Sequence, residues 1–394
     1  MEDWVNEIKQ RALTGKPPVS GGRSNKIGKI SFDDLVFIPK QLNGRPLDYF
    51  REEIISETLI GKTSKFPLKL KMPIMIGAMS FGALSKEAKT ALAKASTIAG
   101  TSENTGEGGV LPEERQYAKI LTIQYSTGRF GITEEILKKA DAIEIKIGQG
   151  AKPGQGGLLP ADKVTEDIAR VRNVPVGKDV HSPPAHPDIF TIDDLKKKVK
   201  WLRELTGGKP IIIKLGAGDV ENDVKLALKA EPDAIAVDGM EGGTGAAPRI
   251  MLDDFGIPAL AALVKARKAM GNAKQELIIA GGISKGSDVA KALALGADAV
   301  YMAMPCLVAM GCLYCKLCYK GKCPVGITTQ DPELRAKLVI DEAAVKVANF
   351  LNACNEEVKM AAAACGKKNI HDLRREDLRS LSSLVKEITE VPLV

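Results

Sequence analysis

Eight short apolar runs alternate with helix-like stretches from residue 73 to about residue 304, and this alternation predicts an α/β fold, the eight-stranded (β/α)8 or TIM barrel. Several runs are apolar at every position, as expected for parallel strands that are covered on both faces. A doubly wound open sheet is the alternative arrangement of the same units. The predicted strands are Ile74–Gly77, Thr101–Asn104, Ile120–Tyr125, Ala142–Ile147, Ile211–Leu215, Ala234–Val237, Leu277–Ala280 and Ala299–Met302.

The composition of the 394 residues fits one large barrel with extensions. Apolar residues make up 44% of the chain but aromatic residues only 4%, so we expect an aliphatic core. The net charge of +7 is spread along the chain, without the basic patch and interleaved aromatic residues typical of a protein that binds nucleic acid. Neither a signal peptide nor an apolar run of membrane-spanning length is present, so we expect a cytoplasmic protein without membrane association.

We expect the barrel to be one of four segments. The predicted segments are an N-terminal extension that packs on the barrel (residues 1–70), the barrel (residues 71–305), a cysteine-rich loop (residues 306–330) and a helical C-terminal segment (residues 331–394). Helical periodicity and capping residues predict helices in these segments. The predicted helices are Met1–Leu13, Ser85–Ala99 with Ser85 as its N-cap, Asp288–Leu295, Glu333–Met360 and a charged stretch at Asp372–Val394.

Glycine clusters follow five of the predicted strands, at the end where such barrels bind their ligands. They lie around Gly77, at Gly106–Gly109, at Gly148–Gly157, at Gly242–Gly245 and at Gly281–Gly286. Glycines let backbone N–H groups approach phosphate oxygens closely, although any one cluster is equally well explained as an ordinary turn. The turn at Gly281 is the strongest phosphate candidate, because barrels often bind phosphate near strands seven and eight.

Five cationic residues are candidates for the same end of the barrel. Lys146 and Lys214 interrupt apolar strands, and a buried ammonium group requires an anion, an electron-rich ring or a structural ion pair. Lys152, Arg172 and Arg129 lie in or beside the loops that follow the strands. Each of these three residues alone would be an ordinary surface charge, but together they predict a clamp for a dicarboxylate.

The stretch from Pro305 to Gln330 carries five of the seven cysteines, four of them within twelve residues. Thiolates at this spacing are typical of iron–sulfur ligands. Structural zinc sites usually set their cysteine pairs further apart, and no other feature indicates the oxidising compartment that disulfides require. The spacing therefore predicts an iron–sulfur cluster with Cys312, Cys315, Cys318 and Cys323 as candidate ligands.

From Pro73 to about Leu381 the chain resembles the FMN-binding synthase domain of glutamate synthases. The matching segments include IGAMSFGALS, NTGEGG, EIKIGQGAKPGQGG, EGGTGAAPR, AGGISKGSDV and, most specifically, GCLYCKLCYKGKCPVGITTQDPELR. The resemblance implies a barrel that holds FMN beside an iron–sulfur cluster. It also implies a reaction in which 2-oxoglutarate and ammonia form 2-iminoglutarate, which the reduced flavin converts to L-glutamate.

The resemblance also implies roles for individual residues. In the family the cluster is 3Fe-4S, held by a C-x5-C-x4-C pattern that Cys312, Cys318 and Cys323 match, and Cys315 is a candidate fourth ligand that would permit 4Fe-4S. Lys152 and Arg172, with Arg129, are expected to bind substrate, and Glu107 and Lys214 are the expected catalytic residues. The expected FMN contacts are Met79, Ser80, Gln124, Lys146, Lys214, Gly242, Gly243, Thr244, Gly281 and Gly282.

Three departures from the family pattern shape the expected partners. The chain leaves no room for the family's glutaminase domain or its C-terminal β-helical domain, so we expect a stand-alone, archaeal-type large subunit that takes ammonia from solution or from a separate glutaminase subunit. A ferredoxin-like or NAD(P)H/flavin subunit would supply electrons, which implies an oligomer or complex. Leu158 replaces a polar residue, and Cys315 is an additional thiol.

Two alternative functions remain open at the level of sequence. One is an N-methylglutamate synthase-type subunit, because losing the polar contact at Leu158 would alter the choice of substrate. The other is an electron-transfer flavin and iron–sulfur subunit of a larger complex.

Overall fold

The computed structural model describes residues 3–26 and 30–394, so residues 1 and 2 of the predicted first helix lie outside the described part of the chain. The strands of the described residues are β1 (Val19–Gly22), β2 (Leu35–Phe37), β3 (Thr58–Ile60), β4 (Leu68–Leu70), β5 (Ile74–Ile76), β6 (Glu103–Asn104), β7 (Leu121–Tyr125), β8 (Ala142–Lys146), β9 (Leu158–Leu159), β10 (Val180–His181), β11 (Ile211–Gly216), β12 (Ala234–Asp238), β13 (Thr244–Pro248), β14 (Glu276–Ala280), β15 (Ala299–Met302) and β16 (Leu378–Ser380).

The helices surround these strands or extend from them. They are α1 (Asp3–Thr14), α2 (Lys86–Ala99), α3 (Pro112–Tyr117), α4 (Glu134–Leu137), α5 (Glu166–Arg172), α6 (Ile192–Leu205), α7 (Val220–Lys229), α8 (Arg249–Asp253), α9 (Ala259–Met270), α10 (Gly286–Ala294), α11 (Met304–Met310), α12 (Pro332–Arg335), α13 (Ile340–Ala364) and α14 (Ser383–Thr389). In the described part of the chain, no helix combines the length and apolar character needed to cross a membrane.

Eight strands form one parallel sheet in the order β5-β15-β14-β12-β11-β8-β7-β6. The two outermost strands of this order also meet, because the N–H of Ile76 in β5 donates to the carbonyl oxygen of Ser102, just before β6, at 3.0 Å. The sheet is thus nearly closed on itself. The predicted barrel is confirmed, each of its eight predicted strands is present, and the open doubly wound sheet is wrong.

Alternation along the strands decides which side chains fill the barrel. In β11, Ile211 and Ile213 pack with the surrounding helices, whereas Ile212 packs in the barrel interior with small residues of the other strands. Successive side chains of a strand point to opposite faces, so Lys214 follows Ile212 on the interior side. The interior is therefore mainly aliphatic, and Lys146 and Lys214 enter it near the carboxyl ends of their strands.

An antiparallel hairpin of β3 and β4 closes the opposite end of the barrel. Ile60, Leu68 and Leu70 of this hairpin belong to the same buried cluster as the interior residues. The N–H of Gly61, in the turn, donates to the carboxylate of Glu276 at the start of β14 at 2.7 Å. This end is filled and hydrogen-bonded, so a ligand has room only at the other end.

The predicted helices are confirmed within a few residues, with one exception. Ser85 caps α2 by accepting the N–H of Ala88 at 3.2 Å, and α10 contains most of the predicted stretch from Asp288. The helix predicted from Glu333 is divided into α12 and α13. The prediction that Asp372–Val394 is helical throughout is wrong, because part of it forms β16.

The strand β16, within the stretch that was predicted as a helix, has a structural reason. Leu378 and Ser380 in β16 are buried while Arg379 between them is partly exposed, which is the two-residue period of a strand. The strand pairs antiparallel with β2 of the N-terminal extension. The backbone of β2 offers hydrogen bonds that a helix would not use, and no local sequence signal reports such a distant partner. The boundaries of the four predicted segments stay predictions.

Candidate active site and cysteine pocket

A broad cavity opens where the barrel strands end. The predicted catalytic, substrate and cofactor residues all line the cavity, with the exception of Arg129. The glycines in its wall are Gly77, Gly106, Gly157, Gly242, Gly243, Gly245, Gly281 and Gly282.

Lys146 and Lys214 stand at the same height on neighbouring strands, because they are register partners in the pairing of β8 with β11. Each has one carboxylate partner. Lys146 Nζ donates to Glu107 at 2.9 Å, and Lys214 Nζ lies 3.5 Å from a carboxylate oxygen of Asp238. These two ion pairs on the cavity floor provide the partners that the strand lysines are predicted to require.

Lys214 remains a cation in this setting. Burial alone would lower its pKa, but the charges of Asp238 and Glu144 outweigh burial and raise the pKa above its usual value. Its ammonium group also lies 5.5 Å from the centre of the Tyr301 ring. The floor of the cavity therefore presents a fixed positive charge.

Glu107 is held among cations. Burial alone would raise its pKa, but the charge and hydrogen bond of Lys146 and the charges of Lys152 and Arg172 lower the pKa to about 2. Gly157 lies opposite the carboxylate of Glu107, and a Cβ atom at position 157 would lie 2.2 Å from that carboxylate. Glu107 is therefore ionised at neutral pH and fits only because position 157 has no side chain.

Lys152 and Arg172 are buried but have neutral partners. Lys152 Nζ donates to the carbonyl oxygen of Ala246 at 3.1 Å, and the Arg172 guanidinium donates to the carbonyl oxygen of Phe81 at 2.6 and 3.0 Å. Burial lowers the pKa of Lys152 to about 8, against the opposing charge of Glu107. Neither cation has a carboxylate at salt-bridge distance within the described residues, so this side of the cavity has an excess of positive charge.

Arg129 lies outside the cavity, although the sequence grouped it with Lys152 and Arg172. Its guanidinium stacks on Tyr125, 3.9 Å from the ring centre, and pairs with Asp188 at 2.5 Å. It also donates to Nδ1 of His186 at 3.0 Å, while Nε2 of His186 donates to the carbonyl oxygen of Lys146 at 2.9 Å. Arg129 thus braces the end of β8, and this placement gives no support to its role as a substrate ligand.

A buried polar network beneath the cavity was not found from the sequence. Glu144 of β8 accepts hydrogen bonds from the side-chain amides of Asn104 at 3.0 Å and Gln124 at 2.7 Å. Glu241, in the glycine-rich turn after β12, lines the cavity and accepts the N–H of Ala259 at the start of α9. Burial raises the pKa of Glu241 to about 7. The only sequence signal for these residues was a carboxylate within an apolar strand or glycine turn.

The four clustered cysteines line a second, smaller pocket beside the first. Three residues, Met304, Cys318 and Thr328, line both the cavity and this cysteine pocket. The cysteine-rich loop is therefore folded against the open end of the barrel, and one thiol-bearing residue forms part of the wall between the two spaces.

The four thiols differ in their surroundings. Cys323 is buried, Cys312 and Cys318 are half-buried, and Cys315 is exposed. Burial opposes ionisation of Cys323, but hydrogen bonds from Thr328 and from the backbone of Val325 and Ile327 outweigh it and lower the pKa of this thiol. Within the described residues, no three His, Cys, Asp or Glu side chains lie close enough together to hold one metal ion. A cluster with several iron atoms takes thiolates that are spaced more widely than the ligands of one ion.

Solved structures with the same fold include two oxidases. A mandelate oxidase variant with a monooxide FMN adduct has a TM-score of 0.59 at 17% identity, over 91% of this chain and 94% of that chain. A lactate oxidase from Pediococcus acidilactici has a TM-score of 0.61 at 17% identity, over 92% of this chain and 89% of that chain. Likeness at this identity establishes the barrel fold alone.

Sequence comparison gives much closer relatives. A glutamate synthase large subunit-like protein of Rhizobium meliloti is 42% identical, over 98% of this chain and 92% of the relative. The archaeal glutamate synthase (NADPH) of Methanocaldococcus jannaschii is 41% identical, over 97% of this chain and 82% of the relative. The family described as the conserved region in glutamate synthase matches residues 31–368. The chain therefore belongs to the glutamate synthase family.

Proposed function

We propose that this chain is the FMN-dependent synthase subunit of a glutamate synthase. It carries out the reductive amination of 2-oxoglutarate, through 2-iminoglutarate, to L-glutamate, with electrons delivered through an iron–sulfur cluster. The observation that carries the proposal is the common wall of two pockets, one cationic and the other lined by four cysteines. The names of the relatives favour this reaction over an N-methylglutamate synthase or an electron-transfer subunit.

FMN fits the charge of the cavity and the glycine turns that line it. Its phosphate would lie against the turns that contain Gly242, Gly243, Thr244, Gly281 and Gly282, where backbone N–H groups can approach closely. Met79, Ser80, Gln124, Lys146 and Lys214 would line the remainder of its site. When bound, FMN supplies hydride transfer, and Lys214 supplies a fixed positive charge beside it.

Lys152 and Arg172 would bind the two carboxylates of 2-oxoglutarate. Both are already desolvated and face neutral partners, so a dicarboxylate would provide the missing negative charge. The guanidinium of Arg172 is held by the carbonyl oxygen of Phe81 and lies 3.3 Å from Ser80 Oγ, which fixes its direction. The substrate is thereby oriented before any chemistry occurs.

Glu107 would act on the nitrogen of the reaction. Because its pKa is about 2, the carboxylate is ionised and can accept a hydrogen bond from ammonium or from the protonated imine nitrogen. Lys146 orients the carboxylate through the 2.9 Å hydrogen bond. Both residues lie on the cavity wall next to the proposed substrate cations.

Cys312, Cys318 and Cys323 would hold the cluster as a 3Fe-4S centre. These three thiols are the more buried members of the pocket, whereas the exposed position of Cys315 makes it a poorer ligand. A donor set of thiolates is the one that iron–sulfur clusters use. An iron–sulfur centre here would pass single electrons across the wall that contains Cys318.

The proposed partners follow from this reaction. 2-Oxoglutarate and ammonia are the substrates, with the ammonia supplied from solution or by a separate glutaminase subunit. Electrons would come from a ferredoxin-like or NAD(P)H/flavin subunit, so the working enzyme is a complex.

Reoxidation of the bound flavin tests the proposal. The protein purified without oxygen should contain FMN and iron, and its reduced flavin should reoxidise rapidly only when 2-oxoglutarate and ammonium are both added. Lys152→Ala and Arg172→Ala should abolish this reoxidation while they retain the flavin, because neither residue is needed to bind the cofactor. Flavin that is present but indifferent to both substrates would refute the proposal.

A further inference from the structure

Lys163 is a buried cation between the two pockets whose role neither the fold nor the proposed reaction explains. It ends the short helical turn Ala161–Lys163, in the short segment between β9 and α5. Only 6% of its surface is exposed. Its side chain lines the large cavity, and its Nζ donates to the carbonyl oxygen of Cys318 at 2.7 Å.

The surroundings of this ammonium group lack a conventional counter-charge. Within the described residues, no carboxylate lies at salt-bridge distance from Nζ, and the contact that holds it is a neutral carbonyl. The residue that provides this carbonyl, Cys318, is a proposed cluster ligand, and Asp162 is the neighbour of Lys163 in sequence. The side chain of Lys163 also packs against the backbone of the cysteine-rich loop, since a Cβ atom at Gly321 would lie 3.1 Å from Cε.

A buried ammonium group without a counter-charge is costly, so the structure must gain from an anion nearby. Lys163 is hydrogen-bonded to the backbone of Cys318, a proposed cluster ligand, and three thiolates around an iron–sulfur core make a negatively charged group. The positive charge is also rigidly placed, because Lys163 is held at its tip by Cys318 and along its stem by Gly321.

We propose that Lys163 is a positioning residue that serves as the buried counter-charge of the cysteine-bound cluster and makes that cluster easier to reduce. The inference rests on the proposed function, because it requires a cluster in the cysteine pocket. Reduction adds one negative charge to the cluster, and a fixed cation a short distance away stabilises the reduced form more than the oxidised form. Water cannot screen the interaction, because Lys163 is buried.

Redox titration of the cluster, followed by electron paramagnetic resonance, tests this proposal on the complete flavin-loaded protein. Lys163→Met removes the charge and keeps the length of the side chain, Lys163→Arg keeps the charge, and Lys322→Met removes an exposed lysine next to Cys323. We expect the equilibrium constant for reduction of the cluster to fall about tenfold in Lys163→Met, which is about 59 mV for one electron. The potentials of Lys163→Arg and Lys322→Met should stay close to that of the wild type.

Each outcome of these measurements either supports or overturns the proposed role of Lys163 as a counter-charge. Loss of the cluster in Lys163→Met, with full iron content in Lys163→Arg and Lys322→Met, would also support it, since the charge would then be required for assembly. Equal potentials and equal iron contents in all four proteins would overturn it. A wild-type protein that contains no iron would instead refute the proposed function. Failure of the proposed function can therefore be distinguished from failure of the proposed role of Lys163.

Discussion

Three buried cations line the cavity without a carboxylate at salt-bridge distance among the described residues: Lys152, Lys163 and Arg172. Each donates instead to a backbone carbonyl oxygen. The fold has therefore already removed these charges from water, and an anion that enters the cavity meets cations that need little further desolvation. This arrangement favours dicarboxylates and phosphates over neutral ligands.

Lys152 predicts how the binding of substrate depends on pH. Its pKa is about 8, and only its protonated form attracts a carboxylate, so affinity for 2-oxoglutarate should be highest below pH 8. Above that pH we expect the dissociation constant to rise by up to about tenfold per pH unit, because one proton is then taken up with the ligand. Calorimetric titration of the oxidised protein at pH 7, 8 and 9 measures this.

Lys152→Arg is the matched variant for this effect, because a guanidinium remains charged throughout this range. Its affinity for 2-oxoglutarate should be the same at pH 7 and pH 9. If the wild type is equally insensitive to pH, Lys152 does not bind the substrate through its charge.

Glu107→Gln should impair the reaction without removing the cofactor. The amide keeps the shape of the side chain beside Gly157 but removes the negative charge that would hold ammonium or the protonated imine, so we expect glutamate formation to fall by about 100-fold or more. Glu135→Gln, an exposed position on α4, is the control and should be fully active. Normal turnover in the Glu107 variant, with flavin content equal in both, would exclude a role for the charge of this carboxylate.

Single residues were predictable where the local pattern was strong. A lysine within an apolar strand must have a partner, and Lys146 and Lys214 both obey this rule. The identity of each partner was not predictable, because Glu107 and Asp238 come from other strands and their loops. The position of Arg129 outside the cavity was not predictable for the same reason, since its contacts with Asp188 and His186 depend on how the long loop folds back.

At the scale of elements, the hairpin of β3 and β4 and the loops at the other end of the barrel have separate tasks. The hairpin packs aliphatic side chains into the barrel interior, far from the charged residues of the cavity. The loops carry the cations and glycines that line the ligand space. A substitution that removes packing from the hairpin should therefore lower the free energy of unfolding and leave the affinity for ligands unchanged.

Leu68→Ala tests this division. Leu68 is 5% exposed and packs with the barrel interior, so the free energy of unfolding should fall by about 2 to 5 kcal/mol. Lys69→Ala, on the exposed side of the same strand, should change it by less than about 0.5 kcal/mol. Denaturant unfolding followed by circular dichroism gives both values. A marked loss of affinity for 2-oxoglutarate in Leu68→Ala would show that the two ends are coupled.

The elements that sequence predicted best were those with a strong local signal. The eight barrel strands are apolar runs, and the start of α2 has a capping serine. The stretch from Asp372 was predicted as a helix because it is charged and ends a helical segment. Its strand β16 exists through pairing with β2, more than 300 residues away in sequence, and only tertiary structure supplies that partner.

At the scale of the whole molecule, the informative feature is the wall between the two pockets. Cysteine spacing predicted a cluster loop, and the family resemblance predicted a flavin-binding barrel. Neither could predict that Met304, Cys318 and Thr328 would line both spaces, because this depends on how the loop after β15 folds back over the open end of the barrel. That proximity is the arrangement that the proposed electron transfer requires.

The formation of labelled glutamate tests the central claim most directly. The complete protein is incubated without oxygen with a chemically reduced low-potential electron donor, 2-oxoglutarate and ¹⁵N-ammonium, and the products are identified by mass spectrometry. We predict ¹⁵N-glutamate in amounts that exceed the enzyme many times, and no N-methylglutamate when methylamine replaces ammonium. A protein that contains reducible flavin and iron but forms no labelled glutamate under these conditions would contradict the account.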